Sequence, residues 1–159
     1  MIPTRDAYVA WRTVTTRWAD DDVYGHMNNA RYFELIDTAV NAHLLEATSL
    51  PIRSLPAIGI VAEVSCRYFR EMGFPAPVDL GLVAEKVGTS SVVYRVGLFQ
   101  GERSSDQAVS AEGRFVHVYV DNTESGRRHD GSRAVVPVPD GILRVASALL
   151  REQPTTGGG

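Results

Sequence analysis

Cysteine is almost absent: Cys66 is the single one in 159 residues. One thiol cannot close an internal disulfide, which excludes a disulfide-stapled secreted scaffold and zinc sites built from four cysteines. Lysine is equally scarce. Lys86 stands beside fifteen arginines, a bias that reflects either codon usage or phosphate binding. No apolar run approaches the roughly 18 residues of a membrane-crossing helix, and residues 1–6 lack the apolar stretch of a signal peptide, so a cytoplasmic domain with no membrane partner is expected. There is no Gly-x-Ser-x-Gly elbow, no Gly-x-Gly-x-x-Gly or Gly-x-x-x-x-Gly-Lys loop and no metal-ligand spacing of His, Cys and Asp. A serine α/β-hydrolase, nucleotide-dependent chemistry and a metal centre are thus unsupported. The balance of 16 Lys+Arg against 19 Asp+Glu leaves a charge of −3, the wrong sign for a general nucleic-acid or membrane-surface binder.

What is present is ordinary globular composition, 44% hydrophobic and 22% charged. The length suits one domain over 1–152, followed by a disordered tail, 153–159, that ends in three glycines.

Residues 7–18, rich in β-branched and aromatic types, read as a strand, and 19–28 as a loop. From Ala30 to Leu45 the apolar period becomes helical: Tyr32, Ile36, Ala39, Val40 and His43 share one face, Arg31, Glu34, Thr38 and Asn41 the other. Asn28 or Asn29 is the natural N-cap. Strands are expected over 58–69, 77–85, 92–100 and 107–121, the last being the longest. Residues 122–134 read as a mobile loop, and Asp140 caps a final helix over 141–151. Strand, long helix, then four strands joined by short turns is an α+β order: one curved, mostly antiparallel five-stranded sheet with a helix on one face. Its other face and its edges need cover, which points to an oligomer.

The chemistry concentrates in 17–32. Asp20, Asp21 and Asp22 sit just before a helix start, where unpaired N–H groups and a partial positive charge can hold a carboxylate or an oxyanion forming on a substrate. A carboxylate on one side of a carbonyl and backbone donors on the other suit acyl transfer. The competing reading is that the acids merely cap the helix or form a solvated loop. A calcium loop fails, because Tyr24 and Arg31 occupy positions that need oxygen ligands. Cys66 reads as an inert buried thiol, His43 as a core histidine, and His117 as core or interface.

The run Arg17-Trp18-x-Asp20-x-Asp22-x-x-Gly25-His26-Met27-Asn28-Asn29-x-x-Tyr32 resembles the signature of the hot-dog-fold acyl-CoA thioesterases of the 4-hydroxybenzoyl-CoA thioesterase type. The likeness extends through helix 30–45, Arg67-Tyr68-Phe69-Arg70, Gly88-Thr89-Ser90-Ser91 and 115–121. It implies a hot-dog fold, a sheet wrapped on a long central helix, with an extra C-terminal helix here. It further implies hydrolysis of an acyl-CoA to acid and free coenzyme A, with no cofactor beyond the coenzyme A of the substrate, in a homodimer or dimer of dimers. Asp22 matches the catalytic aspartate, as nucleophile or general base, and the Asn29 amide matches the oxyanion donor. The resemblance places Tyr24, Gly25, His26, Tyr32, Arg70, Ser90 and Ser91 against the substrate, Ser90 and Ser91 where the pantetheine arm or nucleotide lies. His26 either positions substrate or Asp22, or only bonds loop backbone. The arginine cluster that some relatives carry near the hairpin is missing, so Arg67, Arg70, Arg127 and Arg128 are the candidates for the phosphates. Two further readings are an enoyl-CoA hydratase-like enzyme using Asp22 with His26, and a non-catalytic acyl-CoA or acyl-carrier binding module.

Overall fold

The protein is described here from a computed structural model over residues 1–151; the expected tail, 153–159, lies outside the described residues. The chain runs β1 (Ala10–Val14), α1 (Asn29–Thr48), β2 (Ala57–Tyr68), β3 (Val78–Val87), β4 (Ser91–Phe99), β5 (Ala111–Asp121) and α2 (Asp140–Ala148). All four ladders of the sheet are antiparallel, in the order β1-β3-β4-β5-β2. α1 buries Tyr32, Leu35, Ile36, Ala39, Val40 and Leu44 against the inner face of this sheet. That is the hot-dog arrangement.

α1 starts where its cap dictates: the Asn28 side-chain oxygen accepts from the Ala30 N–H at 2.9 Å. It runs three residues past Leu45, because Glu46 and Ala47 favour helix and the left-handed residue that ends it is Ser49 (φ 54°). His43 is only half-buried, at the edge of the apolar face. α2 packs Ile142, Ala146 and Leu149 onto the core, and Ala84 N–H donates to Leu149 O at 2.9 Å. Its cap is Pro139 rather than Asp140, which is the first helical residue.

Two strand expectations change. The strand expected over 7–18 is confined to Ala10–Val14, since short 3-10 turns occupy Arg5–Ala7 and Trp18–Asp20. The longest strand is β2, with 12 residues; β5 begins only at Ala111 and has 11. β3 is buried on both faces from Val78 to Ala84. The reason is Tyr8, whose ring lies on the outer face over Gly81 and Gly97, partners in the β3–β4 ladder. Its hydroxyl donates to Glu112, and its ring meets Phe99 edge-to-face at 5.6 Å. A Cβ at Gly97 would stand 2.5 Å from the Tyr8 ring. Gly97→Ala is therefore expected to lift Tyr8 and cost about 1–3 kcal/mol, the usual range for overpacking, read as a lower denaturant midpoint at unchanged slope.

Beside that patch, buried Asp79 accepts from Thr13 (2.6 Å), Arg5 (3.1 Å) and Arg103 (2.7 and 2.8 Å). Further along the outer face, Arg95 and Arg114 pair with Glu85, Glu112 and Glu63 at 3.2–3.9 Å. The N-terminal segment and these ion pairs thus cover part of the outer face. The open region is the edge strand β2, where Ile60, Val61, Val64 and Tyr68 are exposed. No helix among the described residues is long and apolar enough to cross a membrane.

Candidate active site

The three acids before α1 have three different tasks. Asp20 is buried; its carboxylate accepts from the Arg17 backbone N–H (2.8 Å) and guanidinium (2.8 and 3.0 Å), and Arg31 lies 3.3 Å away. Burial alone would raise its pKa, but the Arg17 hydrogen bonds and the Arg31 charge outweigh this and hold the carboxyl below the usual range. Asp21 accepts from the Phe74 N–H at 3.2 Å and so ties the loop to the β2–β3 connection. Met27 N–H adds a second tie, to Met72 O at 2.8 Å.

Asp22 is held by its own loop. Its Oδ1 accepts from the backbone N–H groups of Tyr24 (2.8 Å) and His26 (3.3 Å), and its own N–H donates to His26 O at 2.8 Å. Gly25 makes this turn possible, with φ 78° in the left-handed region. Oδ2 has no hydrogen-bond partner among the described residues. One oxygen therefore fixes the carboxylate, and the other is available for chemistry.

At the helix start, Ala30 N–H serves the Asn28 cap and Arg31 N–H donates to Asn28 O at 2.9 Å. The Asn29 N–H, one position earlier, donates to nothing among the described residues. It is a free donor at the positive end of a 20-residue helix.

These groups line one cleft of about 410 Å³. It gathers Asp22, His26, Asn29, Tyr32 and Arg70 from the sequence expectations and adds Tyr68, Phe69 and Glu71. The Tyr68 hydroxyl donates to the Asn29 side chain, and its ring meets Tyr32 at 4.9 Å. Burial, together with neighbouring Cys66, pushes the Tyr68 hydroxyl up to about 12, so it stays protonated and donates at neutral pH. Strand alternation could have found Tyr68, since it shares a face of β2 with Cys66; nothing in the sequence pattern marks Glu71.

The His26 imidazole does not face Asp22. Its Nε2 lies 3.0 Å from Glu71 Oε2, and the His26 contact to Asp22 is through backbone. The Asp–His dyad that a hydratase would need is therefore not assembled. Tyr24 is exposed, and neither it nor Gly25 lines the cleft. Ser90 and Ser91 lie at the far end of the sheet. Ser91 pairs with Val118 and Val118 with Ile60, eight residues from Tyr68 along β2, or about 26 Å. One chain cannot bring them to Asp22. Arg127 and Arg128 sit beyond β5 at that same far end, while Arg67 stacks over Phe69 at 5.4 Å. Cys66 is half-buried, and burial pushes its thiol up, away from the thiolate a nucleophile requires. Among the described residues no cluster of His, Cys, Asp and Glu is arranged to hold a metal ion.

Comparison with known proteins shows the family. Residues 16–146 match the family model described as the thioesterase-like superfamily. The chain is similar to the PA5185 protein of Pseudomonas aeruginosa strain PAO1, at 37% identity and TM-score 0.83 over 96% of this chain and 100% of that one. It is similar to the PA2801 protein of Pseudomonas aeruginosa, a thioesterase candidate, at 30% identity and TM-score 0.70 over 86% and 96% of the two chains. The fold also matches the BH1999 gentisyl-coenzyme A thioesterase, at 17% identity and TM-score 0.69 over 86% and 99%. No curated protein matches the chain.

Proposed function

The chain belongs to the thioesterase-like superfamily, and on that premise we propose that it hydrolyses the thioester of an acyl-CoA to the free acid and coenzyme A in the Asp22 cleft. The observation that carries this is the pairing of an uncommitted carboxylate oxygen, Asp22 Oδ2, with an uncommitted helix-start donor, the Asn29 N–H, in one cleft.

The carbonyl carbon sits toward Asp22 and the carbonyl oxygen toward Asn29. Asp22 either takes a proton from an attacking water or adds to the carbon itself, giving an anhydride that water then opens. Both routes form a C–O bond, place negative charge on the carbonyl oxygen beside the Asn29 N–H, and break the C–S bond as sulfur leaves and takes up a proton. Tyr68 holds the Asn29 side chain away from the acyl carbon. Arg70 puts a positive charge at the cleft mouth for the anionic coenzyme. Coenzyme A enters as part of the substrate and leaves as the free thiol, and no separate cofactor enters these steps.

The enzyme works as a dimer joined through β2. Twelve residues of open edge, with Ile60, Val61, Val64 and Tyr68 exposed, form a strand template that a second copy satisfies by antiparallel pairing. Joined about its middle, β2 of one subunit brings its Ile58 end to the Tyr68 end of the other. The partner's Ser90 and Ser91 then approach the cleft that one chain denies them. Val64→Lys puts a charge into the joined apolar edge and is expected to give monomers by light scattering and to lower kcat/KM at least about tenfold; a fully active monomer would contradict the shared site.

Reaction class is tested on one α,β-unsaturated acyl-CoA, by following free thiol and enoyl absorbance together. Thiol release with the double bond retained in the acid is the expected result. Loss of the enoyl absorbance without thiol release would make the cleft a hydratase site.

A further inference from the structure

A second polar site lies in the core, away from the Asp22 cleft. His117 is 2% exposed on the inner face of β5, ringed by Phe115 (4.8 Å), Tyr94 (6.0 Å) and Tyr119 (6.2 Å). Its Nδ1 is buried and has no hydrogen-bond partner among the described residues. An unsatisfied buried acceptor or donor is costly, so its persistence calls for a reason.

The surroundings supply one. His117 borders a small, partly open cavity of about 30 Å³ that also touches Asn41 and Gly59. That is room for one water-sized group. The cavity shares Asn41, Ile52 and Gly59 with a groove of about 590 Å³ between α1 and the start of β2. Gly59 is the threshold between them: a Cβ there would stand 3.0 Å from His117 Nδ1 and 3.1 Å from the Tyr119 ring. Glycine at 59 is what leaves Nδ1 uncrowded on the side toward the groove.

We propose that groove and cavity form the distal acyl pocket, and that His117 Nδ1 hydrogen-bonds a hydroxyl at the far end of the acyl group. A hydroxyl is the group that fits. It both donates and accepts, so it satisfies a neutral imidazole in either tautomer. A carboxylate would need a charged imidazole in a site that burial keeps neutral, holding its pKa down to about 4. A methyl group would fill the space and leave Nδ1 unsatisfied. The other ionisable side chain lining the cavity is Tyr119, whose hydroxyl burial pushes up to about 12 and so keeps neutral, and at the groove mouth Asp37 and Arg53 are outside hydrogen-bonding contact with Nδ1.

The acyl group reaches this pocket from the other subunit's cleft, an assignment that rests on the dimeric thioesterase reading. Within one chain, Asn29 and Asn41 are twelve residues apart on α1, about 18 Å. Antiparallel joining of β2 instead sets the groove beside Ile58 and Gly59 of one subunit against the Tyr68 end of its partner.

The test compares kcat/KM for ω-hydroxyacyl-CoAs of graded chain length with that for the same chains lacking the hydroxyl. At the length that spans the pocket, the wild-type enzyme is expected to favour the hydroxylated substrate by about 10–100-fold, the range of one buried hydrogen bond. His117→Leu is expected to bring that ratio near one and His117→Gln to restore part of it. Gly59→Ala, which closes the threshold with the histidine itself retained, is expected to flatten the ratio as well and serves if His117→Leu does not fold. A wild-type ratio near one at every length overturns the proposal and leaves the cavity to an ordered water. Calorimetric binding of the free ω-hydroxy acids against the plain acids reads the same subsite without turnover. If neither series releases thiol yet the hydroxy acids bind tighter, the thioesterase reading fails and the subsite stands.

Discussion

Asp22→Asn is expected to lower kcat for thiol release from acyl-CoA by about 10²–10⁴-fold, the contribution of a positioned base, with KM changed only a few-fold. The substitution is selective for a structural reason. Asp22 Oδ1 accepts two backbone N–H groups, from Tyr24 and His26, and an asparagine Oδ1 can accept the same two. The loop and the helix start keep their geometry, which circular dichroism and thermal melting check. What changes is Oδ2. Its replacement, an amide NH₂, neither takes a proton from water nor adds to a carbonyl. Near-wild-type turnover in a folded Asp22→Asn enzyme would remove Asp22 from the chemistry under either route.

Asn29→Pro is expected to cost about 10²–10³-fold in kcat, the usual loss for one oxyanion donor. Proline is a probe for a backbone amide here because of where Asn29 lies. It is the first residue of α1, the position at which proline is best tolerated, since that N–H has no partner inside the helix. Asn28 before it is already extended, at φ −60° and ψ 138°, as a residue preceding proline must be. The helix is therefore expected to stand while the donor disappears. Asn29→Ala separates the side chain from the amide: it loses the Tyr68 contact, keeps the N–H, and should fall less than about tenfold, short of a lost oxyanion donor. Equal losses in the proline and alanine variants would assign the role to the side chain instead.

Both predictions concern a segment that the sequence marks plainly, and the reason is locality. Asp22, Gly25, His26, Asn28 and Asn29 are neighbours in the chain, and the bonds among them form within a few residues. The helical period of Tyr32, Ile36, Ala39 and Val40 likewise shows which face of α1 meets the sheet. Contacts made between distant segments leave no such trace. Tyr8 reaches Gly81 and Gly97 across 73 and 89 residues, which is why 7–18 reads as one strand when the chain instead turns onto the outer face. Glu71 meets His26 only because Met27 and Met72 pair. Ser90 and Ser91 show a different limit. They match a motif, yet their distance from Asp22 within one chain can be closed only by a second copy, and subunit pairing is not written in the local pattern. His117 was recognisable as an inward residue of an alternating strand. That its Nδ1 lacks a partner follows from the glycine at 59 and the rings around it, which only the folded chain brings together.

The most direct measurement is free thiol release by the wild-type protein across aromatic, short-chain and long-chain acyl-CoAs. The expected result is saturable, catalytic release from at least one class, with acid and thiol formed in equal amounts. Tight, saturable binding of acyl-CoA with no thiol released from any class would contradict hydrolysis and make the Asp22 cleft a binding site.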